Sequence, residues 1–309
     1  IAGVISVFLS NQQVYRTSQA IGGVQDGTRF AFEMMSRDIR TAGLTGCNKD
    51  GRIANVLANG PYGDNSAWWA DTANSLHGYD KTENDPAVTT GTDVGERVAN
   101  TDSVQIVGAA YSGLSVDTND SAAPDFTLHE TSSTMKAGDV LIVSDQDHAA
   151  IFQSSSYSST GKTIGYTSGS GSPGNFATGL GYPTASTSTS SGYTYGSNAQ
   201  MSELSADDWY VGNNSAGGTS LYRMALTNSS GVAETVAEEM VRDVTGMTIQ
   251  YHQSGGTAFE DATGIANWSA VDAVRVALTL ESTDKRAGSN AKPVSRTFTT
   301  TTTLRNRVQ

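Results

Sequence analysis

The sequence is poor in most of the features that mark an enzyme or a disulfide-built domain. Of its 309 residues one is a cysteine, Cys47. That excludes an intrachain disulfide and a zinc site built on several cysteines. The thiol reads as inert and semi-buried, or as a bridge to another chain. Proline is scarce, at 6 residues, and basic residues are outnumbered: 19 Lys and Arg against 31 Asp and Glu, a net charge of −12. An acidic surface repels phosphate, so no nucleic-acid partner is expected. No long block of like charge suggests a disordered acidic tail. No Gly-x-Ser-x-Gly elbow and no phosphate-binding loop with its Lys occurs. The four histidines, His77, His129, His148 and His252, lack metal-ligand spacing. The expectation is a non-enzymatic chain with no cofactor and no catalytic or cofactor-binding residues.

Three local patterns resemble chemistry and are set aside. Ser144-Asp145-Gln146-Asp147-His148 gathers the residue types of a hydrolytic triad. Neighbours on a strand point to opposite faces, whereas a triad must converge in space. Gly169-Ser-Gly-Ser-Pro-Gly174 matches a dinucleotide fingerprint by letter, yet no strand precedes it and no helix follows it. Asp117, Asn119, Ser121 and Asp125 have the odd spacing of a calcium loop. They lack its sixth-position Gly and twelfth-position Glu, so a polar turn is the expectation and Asp117, Asn119 and Asp125 are the weak metal candidates.

What is abundant is glycine, 33 residues, with small polar residues. That composition fits long loops on a modest β core. The N-terminus differs from the rest. Ile1 to Leu9 is apolar and uncharged. It is far shorter than the ~20 residues that span a bilayer, and it has no basic flank of the signal-peptide kind. It reads as part of a longer apolar helix. From Ser10 to Ala42 there is no proline, and Val24, Ala31, Met35, Ile39 and Ala42, with Phe32, form one apolar stripe of period 3.6. Glu33 and Arg37 sit four apart on the polar side. Gly43 and Gly46 end the pattern. The spacing predicts one helix of about 40 residues, ~60 Å long, with Gly22, Gly23 and Gly27 as places to bend or melt. Ile1, Val4, Ile5, Val7 and Phe8 are the candidate assembly interface. Val24, Phe32, Met35 and Ile39 are the candidate contacts to a sheet.

The domain division that follows is 1–45, a helix whose first part is apolar, and 46–309, a β-rich head. Residues 48–100 read as loop-rich with short strands. Ser103 to Ala109, Phe126 to Leu128, Val140 to Val143, Trp209 to Val211 and Leu221 to Leu226 read as strands. Residues 154–198 are rich in Ser, Thr and Gly, and read as a surface loop or as a binding loop using Tyr157, Tyr166, Tyr182, Tyr193 and Tyr195. Val232, Val236, Met240, Val241 and Val244 suggest a short helix. Val274, Val276, Leu278 and Leu280 alternate with Arg275, Ala277, Thr279 and Glu281, as in a half-buried antiparallel strand. Thr297 to Leu304 is strand-prone, and Ser282 to Lys292 would join the last two strands into a hairpin. The fold class is α+β, a long N-terminal helix packed on an antiparallel sheet with large loop insertions.

Asn11-Gln-Gln-Val-Tyr15, Gly27-Thr-Arg-Phe-Ala-Phe-Glu-Met-Met-Ser-Arg-Asp-Ile-Arg-Thr-Ala-Gly43 and Cys47 resemble the helix and post-helix signature of the PilW-type minor pilins of type IV pili. Ala137-Gly-Asp-Val-Leu-Ile-Val-Ser-Asp145, Ile151-Phe-Gln153, Ser220-Leu-Tyr-Arg223, Val271-Asp-Ala-Val-Arg-Val276 and Leu304-Arg-Asn-Arg307 complete the likeness; residues 48–100 and 154–200 lie outside it. The resemblance implies a type IV pilin fold whose helix is first an inner-membrane anchor and later part of a filament core. It implies assembly with other minor pilins, the major pilin and a tip adhesin-like protein, in an extracellular pilus that serves adhesion and twitching motility. The family's early Glu lies outside these residues, and Gln146 stands where a second family cysteine is expected. Two alternatives share parts of this reading: a minor pseudopilin of type II secretion, and a tip adhesin or glycan-binding module using the Tyr/Ser/Gly-rich loop.

Overall fold

The computed structural model describes residues 2–47, 52–72, 75–120, 122–182, 192–288 and 291–305. Its first element is one helix, α1, Ala2–Thr41, of 40 residues. It runs unbroken through Gly22, Gly23 and Gly27. The helix does not melt at these glycines; Val24 and Thr28 among them are buried, and the Thr28 hydroxyl returns to the Val24 carbonyl at 2.7 Å. α1 stops where Gly43 takes φ 71°, a left-handed conformation that costs glycine nothing. The Gly43 N–H then donates to the Val107 carbonyl at 2.8 Å, which ties the helix end to the sheet. Gly108 permits this approach, since a Cβ there would lie 2.4 Å from the Thr41 carbonyl oxygen.

The strands are β1 (Arg52–Asn55), β2 (Leu76–Tyr79), β3 (Ser103–Asp120), β4 (Asp125–Leu128), β5 (Val140–Ser144), β6 (His148–Gln153), β7 (Ser156–Ser158), β8 (Thr163–Gly165), β9 (Gln200–Asn213), β10 (Thr219–Ser229), β11 (Val232–Arg242), β12 (Val244–Gln253), β13 (Phe259–Glu260), β14 (Val271–Glu281) and β15 (Ser295–Thr303). They make two sheets. The larger runs β1-β6-β5-β9-β3-β4-β8-β7, with β10 and β11 extending from β9 and β2 paired on β3. The smaller runs β13-β12-β14-β15. The protein is therefore α+β, but the expected antiparallel sheet is mixed: β1 pairs with β6 in parallel.

The stripe read from the sequence is the face that α1 buries. Val24, Ala31, Met35, Ile39 and Ala42 pack into one core with Val104, Trp209, Val211, Ile249, Val276 and Leu278 from both sheets, and Phe32 lies half-buried at its edge. Burial of such side chains stabilises the fold by ~1.5–3 kcal/mol each. The β14–β15 hairpin is as predicted, with Val276 opposite Thr300 and an unshifted register throughout.

Two readings need correction. Residues 232–244 are not a helix. They form β11 and the start of β12, separated by Asp243 at φ 61°. The segment 154–198 is loop over most of its described length, but its tyrosines do not form the binding surface considered for it. It holds β7 and β8, and Tyr166 and Tyr195 are buried in an aromatic core with Phe126 and Phe152, with ring centroids 4.9–6.2 Å apart for Phe126 with the other three. Tyr157 is half-buried and donates its hydroxyl proton to the Ser132 carbonyl at 2.9 Å. The Tyr193 hydroxyl donates to Asp145 Oδ2 at 2.6 Å. Of the five tyrosines proposed as a binding surface, Tyr182 alone is exposed. Residues 183–191 of this segment lie outside the described residues.

Candidate functional site

α1 outruns the head. Gln13 is the first of its described side chains to be even half-buried. Its Nε2 donates to the Ala287 and Gly288 carbonyls at 2.9 and 3.2 Å, and the Thr17 hydroxyl donates to Ala287 as well. Arg16 forks onto Asp284 at 2.9 and 3.0 Å. The link between β14 and β15 thus clasps the helix at residues 13–17. N-terminal to that clasp, residues 2–12 project about 16 Å at 1.5 Å per residue.

The projecting segment is apolar and unpartnered within the chain. Val4 is 76% exposed, Phe8 61%, and Ile5, Val7 and Leu9 are each more than half exposed. Val14 and Tyr15 continue the surface past the clasp. Four of the five candidate interface residues therefore share one exposed segment; Ile1 lies outside the described residues. A contiguous apolar surface of this kind marks a site of interaction. No helix of the described residues is long and apolar enough to cross a membrane.

The residues with catalytic letter-patterns do not converge. Ser144 faces Gly46, whose position leaves no room for a Cβ against the serine oxygen. The Asp145 carboxylate accepts the N–H groups of Asp147 and His148 at 2.9 and 2.8 Å, closing the β5–β6 turn. The His148 ring stacks on Tyr193 at 3.9 Å, and its Nδ1 lies 3.3 Å from Asp147 without hydrogen-bond geometry. The calcium candidates are likewise occupied by structure. Asn119 donates to the Asp125 carbonyl and the Tyr166 hydroxyl at 3.1 and 2.9 Å, and its oxygen accepts the Tyr195 N–H. Asp117 lies 3.9 Å from His129. Among the described residues no three His, Cys, Asp or Glu side chains cluster as a metal site would. Gly169 to Gly174 forms a turn whose Gly174 N–H bonds Gln153 Oε1 at 2.7 Å. Cys47 is free and half-buried; burial raises its pKa, and its sulfur sits 3.1 Å from the Thr45 hydroxyl.

Two groups of charge were not foreseen. Asp38, on the buried side of α1, accepts the Trp209 indole N–H at 2.9 Å. Burial, then the nearby Asp207, push its pKa up to about 6. Asp208 is wholly buried on the face of β9 opposite Trp209, and neither of its oxygens accepts a hydrogen bond from the described residues. Burial first, then Asp85, raise its pKa well above the ordinary carboxylate value. The alternation of β9 around Trp209 places Asp208 on the opposite face of the strand, and nothing local announces that this face is buried too.

No protein-family model matches this chain, and no curated protein sequence matches it.

Proposed function

We propose that the chain is a structural subunit of a type IV pilus, a minor pilin of the PilW type, that joins its assembly through α1. The observation that carries this reading is the division of α1 at Gln13. The part beyond the clasp is exposed and apolar, and the part after it is built into the head. A helix needed only for the head would end where the head ends. This one extends an adhesive apolar stretch into space, the arrangement expected of a subunit whose helix packs among other helices. In this reading the partners are other minor pilins, the major pilin and a tip adhesin-like protein. The subunit waits in the inner membrane and then moves to the extracellular pilus, near its tip.

The test is to express full-length Val7→Glu and Phe8→Lys variants in cells lacking the native gene. Surface pili and co-purification of the other minor pilins are then measured. Both should fall at least tenfold while the head keeps its melting temperature. Normal piliation and normal co-purification would overturn the reading.

A further inference from the structure

At the edge of the larger sheet, away from α1, the segment 65–71, β2 and β3 enclose an open cleft of ≈ 270 Å³. Its walls include Trp68, His77 and Tyr79 as ring surfaces and Asn65, Asp71 and Gln105 as polar groups. The rings are fixed by their neighbours. His77 is held between Tyr79 and Trp268, with centroids 4.6 and 4.5 Å away. The Tyr79 hydroxyl donates to Gln105 Oε1 at 3.2 Å, and Gln105 in turn donates to Asp85 at 2.9 Å. The polar wall therefore cannot collapse inward. Asn65 occupies the left-handed region at φ 52°, where its N–H bonds the Gly60 carbonyl at 3.1 Å. Its side chain is exposed and makes no hydrogen bond to the described residues.

We propose that this cleft binds a neutral pyranose, with one C–H face of the sugar against the aromatic wall and its hydroxyls bonded to Asn65, Asp71 and Tyr79. A pyranose ring is amphipathic in the same sense as the cleft. Its axial C–H bonds form an apolar face that suits an aromatic ring, and its equatorial hydroxyls need donors and acceptors around the rim. Asn65 supplies both, Asp71 accepts, and the Tyr79 oxygen retains a free lone pair while its proton serves Gln105. The size fits one ring, since drug-sized ligands take cavities of roughly 300 Å³ and more. The charge selects against anions: no Lys or Arg lines the cleft, and Asp71 does. Burial lowers the pKa of His77, so at pH 7 it offers a neutral ring and no cation for a phosphate. This site is separate from the tyrosines of residues 154–198 and does not depend on filament assembly.

The experiment uses the purified 309-residue chain, titrated with the methyl glycosides of glucose, galactose, mannose and N-acetylglucosamine and followed by nuclear magnetic resonance. A glycan array extends the panel. At least one saccharide should shift the Trp68 indole and Asn65 carboxamide signals saturably, with a Kd on the order of 1 mM. Asn65→Ala and Trp68→Ala should weaken that binding at least tenfold, and Tyr182→Ala should leave it unchanged. Because Ala is strained at the left-handed backbone of Asn65, Asn65→Gly repeats the test without moving the loop, and it decides the matter if Trp68→Ala fails to fold. The proposal is overturned if no saccharide shifts these signals or if Asn65→Ala binds normally. It is also overturned if a proline-rich peptide, and no sugar, occupies the cleft.

Discussion

Asp38 gives the helix–sheet seam a dependence on pH that an apolar seam would lack. Its pKa is about 6 in the folded chain and near 4 in an unfolded one. Between those values the folded state holds a proton that the unfolded state has released, so stability falls as pH rises from about 4 to about 6 and is level beyond. The difference is on the order of 3 kcal/mol. Asp208, whose pKa burial also raises, acts in the same direction. Denaturant midpoints measured from pH 4 to pH 8 should decline with pH. Asp38→Asn keeps an acceptor for the Trp209 indole and should remove the part of the slope below pH 6. A midpoint that rises with pH over this range would contradict the assignment.

Met35 and Glu33 make a second test at the same scale. Met35 is fully buried, and Glu33 is exposed two residues away. Met35→Ala should cost ~2–5 kcal/mol through lost burial and the cavity left behind. Glu33→Ala should stay within ~0.5 kcal/mol. Thermal melts of the two variants check the orientation of α1 directly; equal melting temperatures would mean that a different face is buried.

Among the elements, α1 and the β14–β15 hairpin could be read from local pattern because each obeys one period over a long stretch. Residues 232–244 could not. Val232, Val236 and Met240 recur every four residues, and a spacing of four satisfies both a helix and one face of a strand. The β-branched valines and threonine tip the balance to strand, and β10 supplies the partner that completes it. The tyrosines of residues 154–198 escaped for a related reason. Tyr166 and Tyr195 gain their burial from Phe126 and Phe152, which lie on other strands and leave no trace in the nearby sequence. The apolar character of the segment at 4–9 was legible, and the structure shows its described large side chains exposed. The cleft around Trp68 and His77 was not, since its walls come from three separate stretches. The glycines of α1 carry an element-scale prediction. Gly22 and Gly23 have open space where a Cβ would go, and neither needs a left-handed backbone. Gly22→Ala and Gly23→Ala should each stabilise the helix by up to ~1 kcal/mol, seen as a raised melting temperature. A fall in melting temperature would show that these positions touch something the head alone does not reveal.

For the whole molecule the boundary at Gln13 separates the part of α1 built into the head from the part that projects. The described side chains of residues 3–12 are all exposed, so deleting residues 1–12 should leave the melting temperature of the head almost unchanged. The same deletion should abolish self-association of the purified chain, read by light scattering in detergent-free buffer. A head that melts far lower after the deletion, or that still aggregates, would show that the segment belongs to the fold or that another surface drives association.

The order of contacts along α1 also decides how the chain would resist a pull on the projecting end of that helix. Gln13 meets Ala287, Gly27 meets Leu280, Ser36 meets Thr302, and the Arg40 carbonyl meets Arg305, so the helix lies lengthwise along the final hairpin. Tension on the projecting part of α1 would therefore be directed along the seam. The attachments resist together, in shear, and do not open one after another like a zip; the head detaches only when the apolar stripe slides as a unit.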